Sequence, residues 1–570
     1  MIELLSGLAG VSVSATSILL GTLVVLTLLS AALGNSSSRR SKCGGSISSL
    51  NNIASKLDDA ARSRNASLNN NDSNKNNNHG KASGTAQTDG TSSTSLSIPK
   101  GTPPGPVAWP VIGSLHLIAK YDVPFEAFTA LSNIYGDIFS ITLGTTPCVV
   151  VNSFPLIKEV LITKGPHFGG RPNFIRYDIL FGGDRDNSLA LCDWSDLQKA
   201  RRSLARHYCH PRMSSMQFET LSNVLTLESS YMAQELSKIS DPIHPKPVDL
   251  KPVLLSMCAN VFTHYMCSSR FAYDHADFQN IVRLFDQIFW DINQGYAVDF
   301  LPWLLPAYKG HMQQLTKWGQ DIRQFIMHYI IDEHRQTLDK NNQRDFTDAL
   351  LAHLEHELDS GVSFLNWNHA LYELEDFLGG HSAIGNLLMR AVGELCQNPA
   401  VMKNIQDEIQ RTTGGERPVV LEDRPLMPYT EAAILETLRL SSSPIVPHVA
   451  MQDTCIAGYD IKEGTMVFLN NYELNVSSDY WEQPLVFDPS RFIKNGKIVK
   501  PEYFIPFSTG KRACMGYRLV QHVSFVALAT LLQSFDVSVP NADKIQLPKA
   551  CVAVHPDAFH VVLTPRSSHQ

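Results

Sequence analysis

The sequence predicts a mainly α fold with a small β region, arranged as a single large domain behind an N-terminal apolar segment. Three observations support this. Helix-type apolar spacing runs through 216–350, from near Asn366 to Asn398 where Pro399 ends it, and through YRLVQHVSFVALATLLQSF from Tyr517 to Phe535. Runs of β type are few and short: DIFSITLG and CVVVN around a turn at Thr145-Thr146-Pro147, TCIAGYDIKEGTMVFLNN (454–471) as strand, turn, strand, and KACVAVHPDAFHVVLTPR (549–566). The composition, 44% hydrophobic and 18% charged over 570 residues, suits one large core. A net charge of −7 argues against nucleic acid as a partner. None of the ten cysteines is spaced as C-x-x-C, so neither a zinc site nor a redox pair is indicated. Scattered thiols of this kind suit a reducing, cytosolic compartment.

Taken in order, the chain opens with no charged side chain between Glu3 and Arg39, and Val11–Leu33 is long enough to cross a bilayer. The positive charges Arg39, Arg40 and Lys42 follow the segment, which keeps what comes after on the cytosolic side. A cleaved signal peptide would carry its positive charge first, so residues 1–34 read as an uncleaved endoplasmic-reticulum membrane anchor. Residues 35–98, with NNNDSNKNNN (69–78) and TSSTSLS (91–97), cannot bury enough apolar surface to fold and read as a disordered Ser/Asn-rich tether. Asn65-Ala66-Ser67 matches a glycosylation acceptor that a cytosolic position leaves inert. The large domain, 99–570, begins with PKGTPPGPVAWPVIGSL, whose prolines restrict φ and stiffen the exit from the tether. A helix at Pro124–Tyr135 precedes the hairpin. From about Pro166 to Cys192 the chain is Gly-rich and irregular, suited to a loop over a ligand.

The richest chemical signal is FSTGKRACMG (507–516). It sets Cys514 at the mouth of a helix, where free N–H groups and the helix dipole favour a thiolate. Gly510 and Gly516 leave room for a flat ligand to approach the backbone, and Arg512 offers a fixed charge to an anionic group on it. The pattern F-x-x-G-x-R-x-C-x-G, matched at Phe507, Gly510, Arg512, Cys514 and Gly516, resembles the heme-thiolate loop of the cytochrome P-450 superfamily. The resemblance implies that family's fold, a single catalytic domain, heme b as cofactor, Cys514 as the metal ligand, and NADPH supplying electrons through NADPH–cytochrome P-450 reductase. It also likens the proline-rich stretch to the hinge of the microsomal members.

Further motifs agree with it. Glu436 and Arg439, three apart in MPYTEAAILETLRL, resemble the family's E-x-x-R motif, and Arg491 in FDPSRF its P-E-R-F motif with Ser490 in place of Glu. Their implied role is a buried charge network behind the cysteine loop, since buried charges need partners. Alone, an i,i+3 ion pair would read as a solvated face. By the same resemblance His448 contacts a heme propionate, as do Trp194 and Arg201, which lie seven apart on one helical face; a satisfied core histidine and a solvated Arg-rich face are the alternatives. FWDINQGYAVDFLPWLLPAY (289–308) resembles the membrane-dipping loop at the substrate entrance, although ordinary core packing also explains such residues.

EDFLGGHSAIGN (375–386) is an uncommon version of the oxygen-activating segment and resembles the insect Halloween group of ecdysteroid-synthesis enzymes. That implies a membrane-derived sterol substrate, on the route from 7-dehydrocholesterol to the ketodiol. Most family members have A/G-G-x-D/E-T here, an acid and an alcohol that relay protons. Gly379, Gly380, His381, Ser382 and Ala383 stand in those places. A hydroxyl passes a proton along a chain but is no carboxylate acid–base at neutral pH. The glycine pair is tolerated in the helix for a kink or for close approach of a ligand, and ordered water held by Ser382 and the kinked backbone is expected to deliver protons, with back-bonding of Ser382 to a helix carbonyl as the alternative. Two other functions stay open: a reductase-independent heme-thiolate isomerase or dehydratase, and a non-catalytic heme- or sterol-binding protein.

Overall fold

The structure, a computed structural model, describes residues 101–241, 243–360 and 365–566. The anchor at 1–34, the tether at 35–98 and the first residues of the hinge lie outside the described residues. Among the described residues no helix is long and apolar enough to cross a membrane.

The long helices are α1 (Pro124–Tyr135), α2 (Asp196–Cys209), α3 (Met216–Ile239), α4 (Lys251–Cys267), α5 (Ala276–Ile292), α6 (Lys309–Ile326), α7 (Phe346–Ser360), α8 (Trp367–Gln397), α9 (Pro399–Thr413), α10 (Pro428–Ser441) and α11 (Tyr517–Ser534). Helix α8 organises the domain. The Asn366 side chain caps it by accepting from the His369 N–H, while His369 reaches back to the Asn366 N–H. Pro399 then opens α9, since a proline fits the first turn of a helix and not its interior. Most of α8 is buried among α4, α5, α10 and α11. It stays helical without interruption through Gly379 and Gly380, as the expected long helix does. These glycines admit neighbouring rings. A Cβ on Gly379 would lie 3.1 Å from Phe285, and one on Gly380 3.3 Å from Phe262.

The β region is small. Strands β1 (Ile138–Leu143) and β2 (Thr146–Val151) pair antiparallel with Leu143 opposite Thr146. The turn is thus Gly144-Thr145, with Gly144 at φ +61°, one register earlier than the sequence indicated. Pro147 is tolerated because β2 pairs with its second neighbour only from Cys148 onward. Residues 454–471 form three strands in two sheets: β4 (Thr454–Ile456) and β5 (Tyr459–Ile461) make a separate hairpin, while β6 (Met466–Leu469) runs parallel to β2. Strand β3 (His448–Val449) closes the order β1-β2-β6-β3 and holds His448 on an edge strand. Two short hairpins complete the set, β7 (Ile493–Lys494) with β8 (Lys497–Ile498), and β9 (Phe535–Ser538) with β10 (Val562–Pro565).

Candidate active site

The cysteine loop begins as a 3₁₀ turn at Gly510–Arg512 and ends where Gly516 leads into α11. The Cys514 N–H donates to the Phe507 carbonyl at 3.0 Å, closing the loop on itself. Gly510 has φ +77°, and a Cβ there would sit 2.2 Å from the Leu161 carbonyl oxygen. Its absent side chain therefore seats the loop on the π-helical turn Glu159–Thr163, and does not make room for a ligand. Gly516 does leave open space, with nothing within 4 Å of a built Cβ. Gly510→Ala should cost more than about 1 kcal/mol of stability and lower heme content, because both the conformation and the contact exclude a side chain; unfolding curves and heme absorbance per protein measure both.

Cys514 is the only exposed cysteine among the described residues. Burial of its sulfur pushes the thiol pKa up, while the N–H groups of Gly516 and Tyr517 and the charge of Arg202 pull it down. Arg202 on α2 also donates to the Ala513 carbonyl at 2.6 Å, so a fixed cation flanks the loop.

Beside this loop lies a cluster of buried cations. Arg512 donates to the carbonyls of Ala190 and Cys192 at 2.9 and 2.7 Å and to the Gln198 side chain. Arg171 donates to the carbonyls of Ala190, Val446 and Pro447, each at 3.3 Å. Burial, then repulsion from Arg512, holds Arg171 down to about 9, and burial, with Arg202 opposing it as well, holds Arg512 down to about 10. His448 lies 2.6 Å through Nδ1 from the Phe168 carbonyl, while its buried Nε2 has no partner. Burial and the charge of Arg171 keep this imidazole well below its ordinary pKa. Mutually repelling guanidiniums fit a ligand with a carboxylate edge, whose charge would also favour a protonated His448 able to donate through its partnerless Nε2. Heme b, with two propionates, has that chemistry, and its iron would take the Cys514 sulfur.

Of the two other expected members, Trp194 borders this cluster, its backbone N–H donating to the Gly169 carbonyl at 3.1 Å, while Arg201 pairs with another element. Ser195 caps α2, so Trp194 precedes the helix instead of sharing a face with Arg201; its ring stands 5.7 Å from Lys511 Nζ. Arg201 is fully buried with its guanidinium on Glu373 Oε2 at 2.9 Å and on the Asp186 and Asn187 carbonyls. It is committed to α8. The residue of α2 that reaches Arg512 is Gln198, four after Trp194. Arg171 was missed inside the Gly-rich stretch, part of which also folds into a short helix at Ile175–Leu180.

The charge network has the expected form. Arg439 grips Glu436 with Nε at 2.8 Å and Nη2 at 2.7 Å, and Arg491 Nε lies 3.2 Å from Glu436 Oε1. The Asp488 N–H adds a bond at 3.0 Å. Glu436 and Arg439 are fully buried. Arg439 also holds the carbonyls of Asn475 and Pro484 and lies over the Trp481 ring. Trp481 and Phe492 in turn pack on Tyr503 and Phe504, just ahead of Phe507, so the network supports the approach to the cysteine loop.

On α8, His381 packs edge-on against Phe285 at 5.3 Å and contacts the Leu378 carbonyl at 2.6 Å through Nδ1; burial holds it down to about 4, so it is neutral. Ser382 is fully buried with Oγ 3.4 Å from His381 Nε2, and its contact is this imidazole, not a helix carbonyl. The His381 ring thus faces α5, and Ser382 meets that ring. Residues 297–308 form two 3₁₀ turns with Trp303 and Leu305 exposed. Asp299 there is bonded to buried Arg176 at 2.6 Å, tying this segment to the 175–180 helix.

A helical domain that presents one exposed cysteine at a helix N-terminus, beside buried guanidiniums bonded to carbonyls, has the arrangement a heme-thiolate protein needs. A family model for cytochrome P450 matches residues 103–562, and the chain belongs to the cytochrome P450 family. It is 45% identical over 489 residues to cytochrome P450 307a1 of Drosophila melanogaster, covering 81% of this chain and 89% of that protein. It is 28% identical over 502 residues to cytochrome P450 2U1 of Bos taurus, covering 82% and 90% of the two chains. With cytochrome P450 1A1 of Homo sapiens it shares 30% identity over 473 residues, covering 79% and 90%. Members of the family bind heme b and draw electrons from a redox partner.

Proposed function

We propose that this protein is an NADPH- and O2-dependent heme-thiolate monooxygenase oxidising a membrane-derived sterol, at an early step of ecdysteroid synthesis from 7-dehydrocholesterol toward the ketodiol. The observation that carries the enzyme class is the open Cys514 beside the anion-seeking cluster of Arg171, Arg512 and His448. The substrate rests on the likeness of residues 375–386 to the Spook and Spookier proteins of the Halloween group, and on the 45% identity to a Drosophila relative.

Heme b supplies the oxidising chemistry when bound. This chain's residues position it: Cys514 would hold the iron, Arg171, Arg512 and His448 the carboxylate edge, and the open face at Gly516 the ring. The exposed Trp303 and Leu305 serve as the membrane-side entrance for a lipophilic substrate. Membranes carrying the protein, incubated with reductase, NADPH and 7-dehydrocholesterol, should yield an oxidised sterol by mass spectrometry with matching NADPH and oxygen consumption. Product that forms equally well without reductase would favour a reductase-independent isomerase or dehydratase, a reading that Ser382 and Ala383 in place of acid and alcohol keeps in play.

Residues 1–34 anchor the catalytic domain on the cytosolic face of the endoplasmic reticulum. Deleting them should release much of the protein from membranes, with residual adhesion through the 297–308 segment. Full retention in fractionation, or recovery with mitochondria, would contradict that placement.

A further inference from the structure

Between residues 372 and 393 of α8, four positions stay partly exposed while every other one is buried: Asp376, Gly379, Gly380 and Ala383. Spaced i, i+3, i+4, i+7, they form one strip along a single face. Neighbouring helices cover the rest of α8 here, so accessible surface on this stretch is confined to the strip, beside the Phe285 and Phe262 rings that pack on its glycines. Ser382 and His381 lie off it. The Asp376 carboxylate accepts the Leu189 N–H at 2.6 Å; the Leu189 carbonyl accepts from Gln198 at 2.7 Å, and Gln198 accepts from Arg512 of the cysteine loop. A run of hydrogen bonds thus ties the strip to the candidate heme site.

We propose that Asp376 is the proton-holding carboxylate of this site, taking over from the helix face the task of the acid that Ser382 replaces. This rests on the heme-thiolate reading above and assigns its proton source. Both side-chain and backbone bonds fall on one oxygen: Oδ2 accepts from Leu189 N and from Ser188 Oγ at 3.3 Å. Ser188 Oγ itself accepts the N–H groups of Ala190 and Leu191, so its own hydrogen must point at Asp376. Oδ2 is therefore the oxygen held by donors, and the acid proton belongs on Oδ1. In each turnover the Oδ1–H bond breaks as its proton passes to a water molecule at the accessible strip, giving a hydronium that carries it onward, and a proton from solvent restores the acid; no electrons move at Asp376.

The environment suits the task. Burial raises Asp376 to about 6, against the lowering pull of the Leu189 N–H, Arg201 and Ser188. The charged and titratable groups facing it are Arg201 from α2, Glu373 and Glu375 from α8, and the Cys192 thiol from the loop. A general acid works best with its pKa near the operating pH.

Asp376→Asn keeps the size of the side chain and an oxygen for Leu189 and Ser188 but holds no acid proton. With heme loaded and the carbon-monoxide spectrum unchanged, product per NADPH should fall at least about tenfold, with peroxide making up the difference. In the parent, coupled product formation should decline as pH rises through about 6, the value for Asp376; the variant should lack that inflection and Asp376→Glu should restore it. Independently of activity, a carboxyl with a raised folded pKa destabilises the fold above its unfolded pKa, so Asp376→Asn should gain melting temperature over the parent as pH rises from 4 to 7. If Asp376→Asn fails to load heme, Ser188→Ala decides: losing a donor raises the acid's pKa and should move the decline to higher pH. An unchanged coupling ratio and pH profile in Asp376→Asn, or an unmoved profile in Ser188→Ala, would overturn the proposal while leaving the heme-thiolate reading intact. Loss of the thiolate spectrum in the parent would instead overturn that reading itself.

Discussion

Glu436→Ala should give a protein that retains little heme and unfolds about 3–5 kcal/mol more easily than the parent, the penalty for breaking a buried charge pair. The reason is geometric. Glu436 Oε1 alone meets Arg439 Nη2, Arg491 Nε and the Asp488 N–H, and Oε2 meets Arg439 Nε. Without the carboxylate, the fully buried Arg439 keeps only carbonyl partners, and Arg491 loses its anion. Two like charges that share the Val486 carbonyl would then lose the carboxylate between them, and relaxation of the 475–492 segment would relieve them. That segment carries Trp481 and Phe492, which brace Tyr503 and Phe504 before the cysteine loop, so the damage should reach heme binding and not only stability. Glu436→Gln should be milder, since it keeps an acceptor and loses only the charge. Denaturant unfolding and heme per polypeptide measure the two effects. A soluble, heme-replete Glu436→Ala protein of parental stability would mean that the network is dispensable.

What the sequence revealed was what is local. Helix periodicity and the Pro399 stop placed α8 to within a residue at either end, because both depend on neighbours within a turn or two. The cysteine loop was legible because five fixed positions fall within ten residues. Glu436 and Arg439 were legible for the same reason, being one turn apart. Contacts between distant segments were not. Arg201 finds Glu373 across 172 residues, which no helical spacing reveals, and the Trp194 alignment failed because Ser195 starts the helix after it. The 549–566 tail alternates like a strand, yet only Val562–Pro565 pairs as one with β9, apart from a bridge from Val561 to Val248. Upstream, side chains claim its backbone. Asn386 accepts the Val554 N–H, Lys251 holds the Val554 carbonyl, and Arg390 takes those of Pro548 and Cys551. Side chains from α4 and α8 thus replace the ladder partners that a strand would need. The strip bearing Asp376 could be seen only once burial along α8 was known.

The central claim is that the Cys514 sulfur is the ligand to heme iron, and a paired spectrum of the parent and Cys514→Ser tests it directly. An alcohol is a far poorer donor than a thiolate, while Ser nearly matches Cys in size and can keep the loop's bond from residue 514 to the Phe507 carbonyl. The parent, reduced and exposed to carbon monoxide, should show the red-shifted Soret band of a thiolate-ligated heme. Cys514→Ser should fold, lose that band and lose sterol oxidation together. A Cys514→Ser protein that keeps the red-shifted band would contradict the assignment of the ligand, and with it the account of the site built around this loop.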